Sequence, residues 1–139
     1  MTLEIGLTGD LSTCQAIRRV VFIEEQGVSL ADEVDGRDGE AEHLLALLDG
    51  APVGTARMLV TGDTGKIGRV AVLAPARGQG IGAALVRAAA DRLRQRGLRV
   101  AKLGAQVHAL GFYEALGFTA FGPVYDDAGI PHRDMALAL

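Results

Sequence analysis

One short glycine-rich segment has the residue types and spacing to bind phosphate groups, namely Arg77-Gly78-Gln79-Gly80-Ile81-Gly82. It follows an apolar run at 70–73, which predicts a buried strand, and precedes Ala83-Ala84-Leu85-Val86, which predicts a helix. Glycines leave the backbone N–H groups at a helix N-terminus accessible, and such groups bind phosphate or pyrophosphate. Arg77 adds a positive charge. We therefore predict a site for a phosphorylated cofactor.

Two other phosphate-binding motifs fit the sequence less well. A P-loop requires Gly-Lys followed by Ser or Thr, whereas this chain has Gly65-Lys66-Ile67. A dinucleotide-binding fold fits Gly78-x-Gly80-x-x-Ala83, but it requires an acidic residue about 20 positions later to bind the ribose. Residues 98–103 contain no carboxylate, which disfavours that fold.

Three further segments accompany the glycine-rich motif. Arg77-x-x-Gly80-x-Gly82 resembles the pyrophosphate motif, Gln/Arg-x-x-Gly-x-Gly/Ala, of the GCN5-related N-acetyltransferases (GNATs), which bind acetyl-coenzyme A (acetyl-CoA). Residues 103–118 carry Ala-Gln-x-His, Phe-Tyr and Leu-Gly-Phe in the order typical of that superfamily. Together with 20–28 and 127–132, they resemble its ElaA/YjcF-like branch. The resemblance covers nearly the whole chain.

The resemblance implies an α/β (α+β) fold with a single N-acetyltransferase domain over residues 1–139. Its sheet is expected to be mixed and mostly antiparallel, flanked by helices, with splayed central strands. The hydrophobic pattern agrees with this order of elements. It predicts strands at 2–8, 43–48, 52–60, 66–73, 99–104, 118–122 and 133–139, with helices after Ser12, from 81 to Arg96 and around 112–116.

Several details of these elements can be predicted. Leu3, Ile5 and Leu7 should face inward on the first strand, and Ser12 should cap a helix that buries Ile17, Val20 and Val21. Asp49-Gly50 is typical of a hairpin turn. The long helix should bury Ile81, Leu85, Ala88 and Leu93 and end at Gly97.

The resemblance also implies a cofactor site. The backbone of 77–82 would hold the pyrophosphate, and the strand at 70–72 would lie beside the pantetheine arm and donate an N–H to the thioester carbonyl. The residues so implicated are Val70, Ala71, Val72, Arg77, Gly78, Gln79, Gly80, Ile81, Gly82, Gln106, Phe112 and Tyr113. Tyr113 is the expected catalytic acid, because a neutral phenol can donate a proton to the departing thiolate.

The general base is not determined by the sequence. Many members of the family that this chain resembles place a glutamate on the strand before the pyrophosphate loop, and the ElaA/YjcF-like branch often has Glu-Arg ahead of its Val-x-Val. This chain has Gly68-Arg69 there. The remaining candidates are His43, His108, His132, Glu25 and Asp35, of which His43 and Glu25 are the preferred catalytic residues. A chain of water molecules with no single base is an equal alternative.

Charge is distributed unevenly along the chain. Residues 1–48 hold ten acidic residues and three arginines, whereas residues 52–113 hold two acidic residues and ten lysines and arginines. This asymmetry fits an anionic cofactor on the C-terminal half and a cationic acceptor near the N-terminal half. The expected acceptor is a primary amine of a small molecule or peptide, and the substrate-binding candidates are Phe22, Glu25, Gln26, Asp35 and His132.

Composition disfavours several other classes of protein. Cys14 is the only cysteine, which excludes an intrachain disulfide, and the three histidines lack the spacing of a metal site. The pI of about 5.5, with no basic cluster interleaved with aromatics, disfavours nucleic acid, and no long apolar segment predicts a membrane span. We therefore expect a cytoplasmic acetyl-CoA-dependent N-acetyltransferase that works by direct transfer, with homodimerisation left open. The alternatives are a non-catalytic acyl-CoA sensor and an acyltransferase like the acyl-homoserine-lactone synthases.

Overall fold

The computed structural model describes residues 2–139, which form a seven-stranded mixed sheet with four α-helices. The strands are β1 (Leu3–Thr8), β2 (Glu42–Leu48), β3 (Ala51–Thr61), β4 (Thr64–Val72), β5 (Val100–Gln106), β6 (Thr119–Asp127) and β7 (Ile130–Ala138). The helices are α1 (Leu11–Arg18), α2 (Leu30–Glu33), α3 (Ile81–Gln95) and α4 (Leu110–Glu114), and a π-helical segment, Arg19–Glu25, continues α1. The expected α/β class is confirmed.

The strand order is β1-β2-β3-β4-β5-β7-β6, and the neighbouring strands are antiparallel except for β4 and β5. That parallel pair is short, because its register covers only Thr64–Val100, Gly65–Ala101 and Lys66–Lys102. Beyond Lys66, β4 remains paired with β3 alone and β5 with β7 alone. The predicted splay of the central strands is thus confirmed, and it opens a gap between the second halves of β4 and β5.

The two faces of the sheet are covered by different helices. α3 packs on one face through Ile81, Leu85 and Leu93, which are buried as predicted. Ala88 is only half-buried, and its neighbours Ala89 and Ala90 are buried instead. On the other face, Ile17 of α1 and Val21 of the π-helical segment pack against Ala71 of β4. The π-helical segment therefore lies beside the strand that splays.

Three predictions in the N-terminal half were wrong. Asp10, not Ser12, caps α1, since its carboxylate accepts a hydrogen bond from the Thr13 N–H, and a carboxylate two residues upstream is the better acceptor. Val20 is half-buried rather than buried. Leu3 and Leu7 are 38% and 49% exposed because β1 is an edge strand.

The C-terminal hairpin is longer than predicted. The sequence pattern ends the first strand at Gly122, because Gly-Pro usually terminates strands. In the structure, a β-bulge between Phe121 and Tyr125 accommodates Gly122, with φ +73°, and Pro123, and the strand continues to Asp127. The extra residues bring Tyr125 and Asp127 to the gap between β4 and β5.

Candidate active site

The glycine-rich segment forms a loop that ends where α3 begins. Gly78 and Gly80 have φ values of +79° and +77°, a left-handed conformation that favours glycine. The first helical hydrogen bond runs from the Ala84 N–H to the Gly80 carbonyl, so the preceding N–H groups of the helix have no acceptor within the helix. A row of free donors at the start of a 15-residue helix fits a pyrophosphate.

Arg77 is fixed at the entrance of this loop. Its Nε–H donates to the Val72 carbonyl at 2.9 Å, and its guanidinium forms an ion pair with Glu25 at the end of the π-helical segment. Glu25 does not line the central cleft. Its carboxylate is bound to Arg77, so Glu25 helps to fix Arg77 at the entrance of the loop.

A cleft of about 540 Å³ runs through the gap between β4 and β5. Its lining comes from the π-helical segment, α2, both splayed strands, α4 and the β6–β7 hairpin. These residues are Phe22, Gln26, Val28, Asp32, Glu33, Lys66, Ile67, Gly68, Arg69, Val70, Arg77, Leu103, Gly104, Gln106, Ala109, Phe112, Tyr113, Tyr125, Asp127, Ala128, Ile130 and His132. The cleft thus connects the glycine-rich side of the sheet with the β6–β7 side.

β4 is bulged where it lines the cleft. Arg57 lies opposite Gly68 and Thr55 opposite Ala71, so two residues of β4, Arg69 and Val70, face one residue of β3. Arg69 takes up the bulge with φ +50°, a strained conformation for a residue with a side chain. Because no pairing to β5 extends beyond Lys66 within the described residues, backbone groups here are directed at the cleft and can bind a thioester or an amide.

The Arg69 side chain holds this bulge against the wall of the cleft. Its Nη2 donates to the backbone carbonyls of Asp32, at 3.3 Å, and Glu33, at 3.1 Å. Its Nε lies 3.5 Å from a Glu33 carboxylate oxygen, close enough for an ion pair, although Nε has no hydrogen-bond partner among the described residues. α2 and the bulge of β4 are therefore coupled.

Tyr113 lines the cleft on α4. Its ring makes edge-to-face contacts with Phe112, at 4.9 Å between centroids, and Phe118, at 6.1 Å. Burial raises the pKa of the Tyr113 phenol above its ordinary value, so the hydroxyl stays protonated at neutral pH. Phe112 is partly exposed and lies 3.6 Å from the position that a Cβ on Gly82 would occupy. α4 therefore faces the start of α3.

Two glutamines bridge the splay. Gln106, at the end of β5, donates from Nε2 to the Gln26 side-chain oxygen at 2.9 Å. Its own side-chain oxygen accepts a hydrogen bond from His108 Nε2 at 2.6 Å. Gln26 and Gln106 both line the cleft, whereas His108 is exposed outside it. This bridge connects the π-helical segment with β5.

The acidic segment around α2 is largely neutralised within the chain. Arg18 is 1% exposed and bonds to both carboxylate oxygens of Glu33, at 2.7 and 3.0 Å, and to Asp38 at 2.8 Å. Arg57 bonds to both oxygens of Asp35, at 2.9 and 2.7 Å, and to Asp38 at 3.2 Å. Hydrogen bonds from Arg57 lower the pKa of Asp35 despite its partial burial. Asp35 is thus committed to Arg57 and does not line the cleft.

His43 lies outside the cleft as well. It is buried on β2, paired with Thr8 of β1 and Arg57 of β3. Its Nε2–H donates to the Asp38 carbonyl at 3.0 Å, while Nδ1 has no partner among the described residues. His43 is not among the residues that line the cleft, so this geometry does not support the expectation that His43 is the base.

The β6–β7 wall supplies residues that the sequence analysis missed. His132 stacks on Tyr125, with 6.0 Å between ring centroids and 23° between planes. The Tyr125 hydroxyl donates to Asp134 at 2.7 Å, and burial together with this hydrogen bond raises the pKa of that phenol. A Cβ on Gly104 of β5 would lie 2.5 Å from the Tyr125 hydroxyl. The residues around Tyr125 could have been predicted as a strand. The preceding Gly122-Pro123 pair, which usually ends a strand, argued against that prediction.

Of the substrate-binding candidates, Phe22, Gln26 and His132 line the cleft, whereas Glu25 and Asp35 do not. Among the cofactor candidates, Val70, Arg77, Gln106, Phe112 and Tyr113 line it. Ala71 is buried against α1, so only its backbone is available for binding. No group of three metal-ligating side chains is found in residues 2–139. Nor is any helix in that range long and apolar enough to cross a membrane.

Comparison with known proteins gives consistent matches. The family described as "Acetyltransferase (GNAT) domain" matches residues 15–139. YjcF of Bacillus subtilis, described as an N-acetyltransferase, is 32% identical over 120 residues, which cover 86% of each chain. ElaA of Escherichia coli is 34% identical over 126 residues, 86% of this chain and 82% of ElaA.

Solved structures agree with this match. The crystal structure of Escherichia coli ElaA has a TM-score of 0.86 to this chain, covering 98% of it and 99% of ElaA. An acyl-CoA N-acyltransferase from Pseudomonas aeruginosa has a TM-score of 0.88 at 33% identity, covering 99% of this chain and 100% of that protein. The fold is therefore shared with these two proteins.

Proposed function

We propose that this chain, which belongs to the GNAT family of acetyltransferases, transfers an acetyl group from acetyl-CoA directly to a primary amine of a small molecule or peptide. The observation that carries the proposal is the cleft, which is lined by Arg77, by the bulge of β4 and by Tyr113; Arg77 directly precedes the loop that leads to the free N–H groups at the start of α3. A cytoplasmic location and a single catalytic domain are part of the proposal.

Residues 77–82 would bind the pyrophosphate through their backbone, with Arg77 contributing charge at the entrance. Val70 lies in the bulge and Val72 lies just beyond it, and their strand would offer backbone groups to the pantetheine amides and to the thioester carbonyl. A preorganised N–H that faces a developing oxyanion stabilises the transition state by roughly 3–4 kcal/mol. Gln106 and Phe112 would complete the walls around the pantetheine arm.

Direct transfer is supported by the composition of the cleft. Its lining within residues 2–139 contains no serine, threonine or cysteine that could carry the acetyl group. The single cysteine, Cys14, is fully buried on α1. The amine nitrogen would therefore attack the thioester carbon itself. As the carbon–sulfur bond breaks, Tyr113 would give its proton to the thiolate.

The charged groups of the cleft are compatible with a cationic or an anionic acceptor amine. Glu25, Glu33 and Asp35 are paired with arginines of the same chain, so the acidic segment no longer argues for a cationic acceptor. In the cleft, Asp32 and Asp127 have no ion pair among the described residues, and neither has Lys66. An acceptor panel must therefore include amines with and without carboxylates.

The decisive experiment measures thiol release from acetyl-CoA with polyamines, amino sugars, amino acids and peptide N-termini. A second arm measures CoA affinity by calorimetry in Gly80→Glu and Gly80→Gln, which strain the same left-handed position and differ only in charge. We expect Gly80→Glu to weaken CoA binding at least tenfold more than Gly80→Gln, because a carboxylate would repel the pyrophosphate. Equal affinity of the two variants would contradict the pyrophosphate assignment.

The glycine at position 68 favours a second candidate function, a sensor that binds acyl-CoA without turnover. Position 68 is glycine, where the resemblance to the GNAT family implies a glutamate in many members, and a chain without a base could bind acyl-CoA as a sensor. Tight acetyl-CoA binding with no thiol release from any amine would favour that second function. Amine-dependent release would favour the acetyltransferase.

A further inference from the structure

His132 occupies a distinctive place on the wall of the cleft. It lies near the start of β7, where the register sets it opposite Gln106 of β5 and Tyr125 of β6. The residue is 9% exposed, and it lines the cleft. The imidazole is thus largely removed from bulk water and directed at the splay.

The hydrogen bonding of the ring determines its tautomer. Nδ1 lies 2.7 Å from the backbone carbonyl of Ile130. A carbonyl oxygen can only accept, so Nδ1 must carry the proton, and in the neutral ring Nε2 then has a free lone pair. Nε2 makes no hydrogen bond within residues 2–139 and is not one of the enclosed unpartnered atoms. The lone pair is therefore accessible from the cleft.

The orientation of the ring is fixed from a second direction. Tyr125 stacks on it, and the Tyr125 hydroxyl is itself held by Asp134 at 2.7 Å. This arrangement requires glycine at position 104, because any Cβ there would come within 2.5 Å of the Tyr125 hydroxyl. His132 is thus held both by its own strand and by the neighbouring one, as a proton-transfer group must be.

Several charged or titratable groups share the cleft with His132. They are Tyr125 and Asp127 of β6, Asp32 and Glu33 of α2, Lys66 and Arg69 of β4, Arg77, and Tyr113 of α4, with Asp134 beside it on β7. Glu33 and Arg77 are in ion pairs, and Tyr125 is bonded to Asp134. His132 is the imidazole among the described lining residues.

We propose that His132 Nε2 is the general base of acetyl transfer, an inference that rests on the proposed function. As the neutral amine bonds to the thioester carbon, one N–H proton of the amine passes to Nε2. The carbon–sulfur bond breaks, and the electron pair stays on sulfur, which takes the Tyr113 proton. The proton on His132 then returns to the Tyr113 oxygen through solvent, so that the amide and the free thiol are the products.

The test compares wild type with His132→Asn, whose side-chain amide can still donate to the Ile130 carbonyl but has no basic nitrogen. Thiol release is measured from pH 6 to pH 9.5 with primary amines of graded basicity. We expect kcat to fall on the order of 10²-fold at neutral pH, with CoA affinity retained in calorimetry. The defect should shrink with weakly basic amines, which lose their proton more easily. Asp91→Asn, whose exposed ion pair with Arg94 lies on α3 outside the cleft, should keep the wild-type pH profile.

A defect that is the same for every amine and at every pH would show a merely structural role and overturn the proposal. So would wild-type turnover in His132→Asn. If the wild-type chain releases no thiol with any amine, this proposal fails together with the proposed function. ¹⁵N NMR of labelled imidazole gives a test that needs no acceptor: we expect the proton on Nδ1, and a neutral ring protonated on Nε2 would overturn the assignment.

Discussion

Replacing Asp38 by asparagine removes a carboxylate that bonds to both buried arginines behind the cleft. One oxygen of Asp38 accepts hydrogen bonds from Arg18, at 2.8 Å, and from Arg57, at 3.2 Å, and the other accepts from Gln15 at 3.0 Å. An amide can replace part of this hydrogen bonding but none of the charge. The variant therefore isolates the electrostatic contribution of Asp38 to stability.

The size of this contribution follows from the pKa of the Asp38 carboxyl. Burial alone would raise this pKa, but hydrogen bonds from Arg18 and Gln15 and the charge of Arg18 lower it from 3.8 to about 2. Such a group stabilises the folded state by about 2 kcal/mol at pH 7. The side chain is 17% exposed, so solvent screening reduces this value only slightly.

The stabilisation by Asp38 decreases at low pH. Because the pKa of Asp38 is lower in the folded than in the unfolded chain, its stabilisation is complete above about pH 4 and is lost as the pH falls towards 2. The difference in free energy of unfolding between wild type and Asp38→Asn should thus shrink from about 2 kcal/mol at pH 7 to about 1 kcal/mol at pH 3.

Urea unfolding followed by far-UV circular dichroism provides the assay, since the chain has no tryptophan. Asp91→Asn is the matched control, because its ion pair with Arg94 is exposed, and it should change stability by less than about 0.5 kcal/mol. The reasoning would be refuted if the loss in Asp38→Asn were the same at pH 7 and pH 3, because then packing and not charge would be responsible.

Two further predictions concern catalysis. Tyr113→Phe should lower kcat by about 10- to 100-fold. CoA affinity should be nearly unchanged, because the phenyl ring keeps its contacts with Phe112 and Phe118. If steady-state kinetics show unchanged turnover, the role of Tyr113 is structural. In a His132→Asn background, Gly68→Glu should raise the rate of thiol release about tenfold. A side chain at position 68 has room, since a Cβ there meets no atom within 4 Å. No gain in thiol release would argue that the His132→Asn defect is not the loss of a base.

Local patterns in the sequence were sufficient for several elements. The Asp49-Gly50 pair predicted a hairpin turn, and both residues have positive φ, +50° and +82°, as such two-residue turns require. The helix α3 ends as predicted, with Gly97 at φ +78° just beyond it. These features depend on neighbouring residues only, so they could be predicted from the sequence.

The pairing of charged side chains could not be predicted in the same way. Glu25 is bound to Arg77 across 52 positions of sequence, and Asp35 is bound to Arg57 across 22. Such distances in the chain are bridged by the sheet and not by local spacing. From the sequence, these carboxylates were expected to be free to bind a cationic acceptor. Only the fold shows that they are paired with arginines.

The proposed placement of the base on β7 depends on the same sheet. β4 and β5 have no pairing beyond Lys66 within the described residues, and their glycines at 68 and 104 line the cleft, so neither of these two positions supplies a proton acceptor. The space beside Gly104 is filled by Tyr125 of β6, which stacks on His132 of β7, whereas a Cβ on Gly68 would meet no atom within 4 Å. If His132 is the base as proposed, a glutamate at position 68 would place a second proton acceptor beside the same gap. The Gly68→Glu exchange in a His132→Asn background tests this equivalence.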